Sequence, residues 1–187
     1  ARWIAGCIIT IDAMGCQREI AADIVEHDAD YLLALKGNQG RIHEDVELLF
    51  SDLRASRFSA YEHDYARSVN KGHGRIETRE CWAISESEVL RGMRDAQHWD
   101  SLTTVVMVRA ERHMGSEKMV EDRYFLSSLP GNAKRLLAAT RAHWGIENDL
   151  HWVLHIAFRE DECRVRKDHG DQNLATLRHI ALNLLKQ

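Results

Sequence analysis

Two carboxylates and one loop have the residue types and spacing that chemistry would need. Glu147 lies in RAHWGIENDLHWVLHIAFRED, Arg141 to Asp161, which reads as one long helix. At about 100° per residue, Ala139, Ile146, Leu150, Val153 and Ala157 fall in one stripe that must be packed. Glu147 sits roughly 80° from the centre of that stripe, beside Thr140, His143, His151 and Leu154. A carboxylate at a packed edge must be hydrogen-bonded, paired or bound to a cation, because burying it alone is costly. A surface pair with His143 or His151 satisfies it as well as a metal ion does. Asp12 ends GCIITID, Gly6 to Asp12, a continuous apolar run that predicts a buried central strand. Sites of α/β proteins gather beyond the carboxyl ends of such strands, yet an aspartate there serves equally to cap the next turn through the amides near Cys16. The loop KGNQG, Lys36 to Gly40, joins a cation, two amides and two glycines. That chemistry suits a phosphate held against exposed backbone amides, or a plain turn.

The elements that must position these groups alternate. QREIAADIVEH, Gln17 to His27, predicts an amphipathic helix, YLLAL, Tyr31 to Leu35, a second strand, and Arg41 to Leu53 a second helix. Strand, helix, strand implies a parallel crossover. From residue 54 to 129 the pattern becomes β-rich: HGRIETRECWAI, TTVVMVRAE and KMVEDRYFLSSL read as strands, with HMGSE as a hairpin connection. HGRIETRE alternates charges, with Arg75, Glu77 and Arg79 on one face, a pattern that most often marks a solvated surface. Pro130, Gly131 and Asn132 end the last strand, and the long helix follows. Leu174 to Leu185 predicts a terminal amphipathic helix.

The chain has 187 residues, 44% hydrophobic and 29% charged, which suits one globular domain and excludes disordered and fibrous classes. No apolar run is long enough to cross a membrane and no leader pattern is seen, so a cytoplasmic protein with no membrane partner is predicted. Cys7, Cys16, Cys81 and Cys163 form no C-x-x-C pair, so buried free thiols are expected rather than a zinc knuckle or a disulfide framework. A formal net charge of −4 leaves any nucleic-acid affinity to local patches. The densest patch is Arg159, Arg164, Arg166 and Lys167, interleaved with Glu160, Asp161, Glu162 and Asp168, so a self-satisfied surface network competes with phosphate contact.

IDAMGCQ after one strand, LALKGNQ after the next, RYFLSSL, and HWGIENDLHWVL in a late helix together resemble the DDE transposases of bacterial insertion sequences, in particular the H-repeat-associated group. The resemblance covers practically the whole chain. It implies an α/β fold with an RNase H-like core, here partial with its early strands missing, and a β-rich insertion, 54–129, before the helix carrying the catalytic glutamate. The whole of 1–187 is then one catalytic-region fragment. In such enzymes three carboxylates hold two divalent cations, Mg²⁺ or Mn²⁺, that cut DNA and join the freed 3′-hydroxyl to a target. Asp12 matches the second acid and Glu147 the third, as catalytic and metal-binding residues. The resemblance adds His143 and Trp144 as phosphate-contacting and packing residues, and with Lys36, Asn38, Arg141, His151, Arg164, Arg166 and Lys167 they are the expected DNA contacts. The partners implied are double-stranded DNA, both transposon ends and target, and a second copy of the chain.

Two departures follow. The resemblance places the first acid on a strand that would precede Ala1, so the chain is expected to be a C-terminal fragment. His155 stands where the family tends to have an aspartate, which alters local electrostatics. A non-catalytic DNA-binding or dimerising remnant is the runner-up. A transition-metal hydrolase built from the eleven histidines ranks last, since no spacing here supplies a fixed ligand geometry.

Overall fold

The computed structural model describes residues 2–72, 75–115, 117–146 and 152–185. The chain divides into two compact units, Ala1–Arg141 and Ala142–Gln187.

The first unit is an α/β body around one six-stranded sheet. Its elements in chain order are β1 (Ile8–Ile11), α1 (Arg18–Glu26), β2 (Asp30–Leu35), α2 (Arg41–Ala55), β3 (Asp64–Gly72), β4 (Arg75–Ile84), α3 (Ser87–Gly92), β5 (Thr104–Met114), β6 (Glu117–Ser127) and α4 (Ala133–Ile146) as far as Arg141. The strands lie in the order β1-β2-β6-β5-β4-β3. β1 and β2 are parallel, Ile11 opposite Leu33, with α1 as the crossover. β6 pairs antiparallel with β2, Leu35 opposite Tyr124, and the rest is an antiparallel meander. The β-rich stretch therefore continues the same sheet that holds β1 and β2.

Alternation along the strands sorts side chains onto two apolar layers. Tyr31, Leu33, Leu35, Trp82, Ile84, Met107, Tyr124 and Leu126 pack on one face against α1 and α2, through Ala21, Ile24, Ile42, Val46, Phe50 and Leu53. Leu32, Cys81, Ala83, Val106, Val108 and Phe125 pack on the other against α4. In β1, Ile9 and Ile11 join the first layer and Ile8 the second, which is why that run shows no polar alternation. The expected central strand is nevertheless an edge strand among the described residues, half-buried throughout. An apolar run reports contact on both faces and says nothing about how many strands flank it.

The expected helical stripe also needs correction. On α4 the buried residues are Ala133, Leu136, Leu137 and Thr140, at spacings of three, one and three, while Ala139 is only half-buried. Beyond Ile146, Leu150 lies outside the described residues; in the second unit α5 (Trp152–Ile156) buries Leu154, and Val153 is half-buried and Ala157 exposed. The helix does not reach Asp161: Arg159 takes φ +46, and a 3-10 turn, Glu160–Glu162, follows before α6 (Gly170–Leu185). Two elements went unread in the sequence, β3 and α3. DYARSVNKG has little β-branched content and is held as a strand by nine residues of register with β4.

Candidate active site at the ends of the parallel strands

Asp12 is the first residue past β1 and is exposed. Its Oδ1 accepts the backbone N–H of Met14 at 3.1 Å and of Gly15 at 3.4 Å, capping a 3-10 turn, Ala13–Gly15. Capping and presenting a carboxylate are thus compatible, since one oxygen anchors the group while its exposure leaves it accessible. The turn is fixed from below as well. A Cβ on residue 15 would run into Cγ2 of Ile11, so any other residue there would have to displace that side chain from under the turn. Gln17 donates its side-chain amide to the Met14 carbonyl at 3.1 Å.

The loop after β2 is tied to this turn. Asn38 donates Nδ2 to the Ala13 carbonyl at 2.7 Å, and Gln39 donates Nε2 to the Cys16 carbonyl. Parallel pairing puts both strand ends on one side, so the loops leaving Ile11 and Leu35 meet there. Gly40 takes φ +48 and ψ −110, a conformation suited to glycine, and turns the chain into α2. The N–H groups of Gln39 and Gly40 bond to the carbonyls of Lys36 and Gly37, at 3.0 and 3.1 Å. The Gln39 and Gly40 amides are therefore occupied in the turn itself. What the loop offers outward is the exposed Lys36, while Asn38 acts as a strut.

Glu147 and His151, the other acid and one histidine of the predicted site, lie outside the described residues. Among the described residues no group of three or more His, Cys, Asp or Glu is placed to hold a metal ion. Asp12 alone is an oxygen ligand of the kind a hard divalent cation takes, and it needs further carboxylates to complete a set. Arg141 is exposed near the end of the first unit. In the second unit His143 is half-buried and Trp144 exposed, and Arg164, Arg166 and Lys167 are all exposed. The acids expected to neutralise them are mostly engaged elsewhere: Glu160 with Arg178 at 3.6 Å, Asp161 with His155 at 2.6 Å, Glu162 with Arg159 at 3.7 Å. Arg166 instead donates to the carbonyls of Cys163 and Val165, both at 2.9 Å. Among the described residues none of these three cations is ion-paired. The expectation of buried thiols holds for Cys16 and Cys81 only; Cys7 is exposed and Cys163 half-buried.

Comparison with known proteins agrees with this arrangement. The family model described as "Transposase DDE domain" matches residues 1–184. A protein of Escherichia coli O157:H7 named "Putative transposase YncI" is 39% identical over 183 residues, covering 96% of this chain and 45% of its own. "H repeat-associated putative transposase YhhI" of E. coli K12 is 35% identical over 186 residues, covering 97% and 48%. The chain spans about half the length of the curated relatives it matches. Proteins of this family act on DNA and generally use divalent metal ions. A match that runs from the first residue to the last turns of α6, and that carries the turn holding Asp12, makes this chain a member of the DDE transposase family.

Proposed function

We propose that this chain supplies two acids, Asp12 and Glu147, and much of the sheet of an RNase H-like catalytic region that cuts DNA and joins its ends. The observation that carries the reading is the fixed Asp12 turn, stitched to the Lys36–Gly40 loop at the carboxyl ends of two parallel strands. Asp12 and Glu147 would hold the divalent cations, Mg²⁺ or Mn²⁺, whose contribution when bound is Lewis-acid stabilisation of charge on the phosphate oxygens.

The chain's own groups have clear parts in this chemistry. The Met14 and Gly15 amides keep Asp12 in one orientation, so little reorganisation is needed at the moment of reaction. Lys36 neutralises phosphate charge beside it. In cleavage an oxygen of water bonds to phosphorus and the 3′-hydroxyl leaves; in joining, that hydroxyl oxygen bonds to a target phosphorus and displaces the target's own 3′-oxygen. DNA ends and target are the partners. The first acid of the set is proposed to lie upstream of Ala1.

The test compares the 187-residue chain with a version extended upstream, each incubated with a labelled transposon-end duplex and Mg²⁺ or Mn²⁺. Nicking and joining are expected from the extended protein only. In that protein Asp12→Asn should lower the rate by about 10²–10³-fold or more. Its melting temperature should hardly move, because asparagine keeps an acceptor for the two amides. Undiminished cleavage by the Asp12→Asn protein would remove Asp12 from the site. Exposed Arg164, Arg166 and Lys167, which form no ion pair among the described residues, favour DNA binding whether or not this chain cuts, so a binding-only role is the second reading.

A further inference from the structure

The sheet carries a second feature beside Asp12, an organised arginine row. On the sheet face that α4 covers near its base, the register sets Arg123 of β6 level with Val108 and Cys81, Arg79 of β4 level with Ala110 and Glu121, and Arg112 of β5 level with Glu77 and Met119. The three arginines thus occupy three neighbouring strands on one face, within a width of about 10 Å at a strand spacing of roughly 4.8 Å. Lys36 follows Leu35, which is opposite Tyr124, and so extends the row at the β2 end.

This row is built, not frayed. Glu77, only 5% exposed, accepts Nε of Arg112 and pairs with Nη2 of Arg79, both at 2.8 Å. Arg123 donates Nε and Nη2 to the two oxygens of Glu121, at 2.8 and 2.9 Å. The charges act on one another. The Arg123 hydrogen bonds hold the Glu121 carboxyl below its ordinary range, with Arg112 and Lys36 adding to the effect. Burial lowers the Arg79 pKa against the pull of Glu77, and the nearby charges of Arg141 and Arg112 lower it further. Among the described residues, Lys36, Arg112 and Arg123 thus act on Glu121, and Arg79 and Arg112 on Glu77 with Arg141 nearby, a gathering of cations in a chain of net charge −4.

We propose that this row seats the backbone phosphates of duplex DNA, continuing the path from Asp12 and Lys36 across β6, β5 and β4. The inference rests on the reading of the Asp12 site as a DNA-processing centre. Planar guanidinium forks match phosphate oxygens two at a time, and forks already braced by carboxylates lose little side-chain freedom when a phosphate arrives. Contacts of this kind position DNA and carry no sequence preference. An acidic polypeptide would answer the charge equally, but only a phosphodiester accounts for the row's continuity with the Asp12 and Lys36 loops.

The experiment measures binding of a fluorescent duplex to the full chain across a salt series. Arg79→Gln, Arg112→Gln and Arg123→Gln together should weaken binding about ten-fold or more at moderate salt, on random and transposon-end duplexes alike. The slope of log affinity against log salt should fall by about 2 to 3. Replacing the same arginines by Lys should keep most of the slope while losing part of the affinity, and this conservative set covers the case in which the Gln protein fails to fold. A control, Arg57→Gln with Arg91→Gln, should change neither quantity. In the unaltered protein, duplex DNA should also protect Arg112 and Arg123, but not Arg57, from phenylglyoxal. Unchanged slope in a folded Gln protein, or equal phenylglyoxal labelling with and without DNA, overturns the row while leaving the Asp12 reading standing. No duplex binding by the unaltered protein overturns both.

Discussion

Asp12 shows how one residue serves the fold and the chemistry together. Its Oδ1 secures the turn that follows β1, and that bond fixes the direction in which the carboxylate is offered. The cysteines separate into two classes by the same local logic. Burial pushes the Cys16 thiol up to about 12 and, with a smaller contribution from Asp64, the Cys81 thiol up to about 12. Cys163 is shifted the other way, chiefly by a hydrogen bond from Arg178 and then by the Val165 backbone. The thiolate is the reacting form. At mildly alkaline pH a maleimide should therefore modify Cys163 first and the exposed Cys7 next, leaving Cys16 and Cys81 until the protein is denatured. Mass spectrometry of the labelled protein checks the order, and early labelling of Cys81 would mean that α4 does not stay closed over its face of the sheet.

At the scale of elements, polar connections hold α2 to the antiparallel half of the sheet. Asp122 of β6 accepts Nε and Nη2 of Arg109 on β5, at 2.7 and 2.8 Å, and pairs with Arg54 near the end of α2. Burial alone would raise the Asp122 pKa, but the hydrogen bonds from Arg109 and Arg54 outweigh it, so the carboxyl lies below its ordinary value. A carboxyl depressed in the folded state stabilises above its unfolded pKa, and the contribution is lost as pH falls through the folded value. Asp122→Asn should thus cost about 1–3 kcal/mol at neutral pH, the cost of leaving two guanidiniums without their carboxylate. The gap to the unaltered protein should close as the solution is acidified below about pH 4. Thermal melts at neutral and acid pH read both parts, and a difference that persists at pH 2 would assign the effect to packing rather than charge.

At the scale of the whole molecule, basic surface occurs in each of the two units. The first carries Lys36 and the arginine row, the second the exposed Arg164, Arg166 and Lys167. Net charge gives no hint of this, because carboxylates elsewhere outnumber the cations. Replacing Lys36, Arg164, Arg166 and Lys167 by Ala should weaken duplex binding about equally for all sequences and lower the salt slope by roughly 3 to 4. An unchanged slope would leave the Arg164–Lys167 segment as solvated surface.

The sequence by itself determined the local elements that carry strong periodicity, together with the family. β1, β2, α1, α2 and the three later strands were legible because IITI, YLLAL and their successors declare which side chains must leave water. The identity of Asp12 and Glu147 as candidates came from motifs and from their position beside apolar runs. Only the tertiary structure decided that β1 lies at an edge, that the β-rich stretch extends the same sheet, and that the buried stripe of α4 runs through Leu136 and Leu137. It also decided that Asn38 ties its loop to the Asp12 turn, a bond between residues 25 apart in sequence. The alternation RIETRE reads as a solvated strand when taken alone. Its Arg79 joins a row only once β5 and β6 bring Arg112 and Arg123 alongside, because strand partners are chosen by the whole sheet and a cluster of charge is a property of neighbours in space.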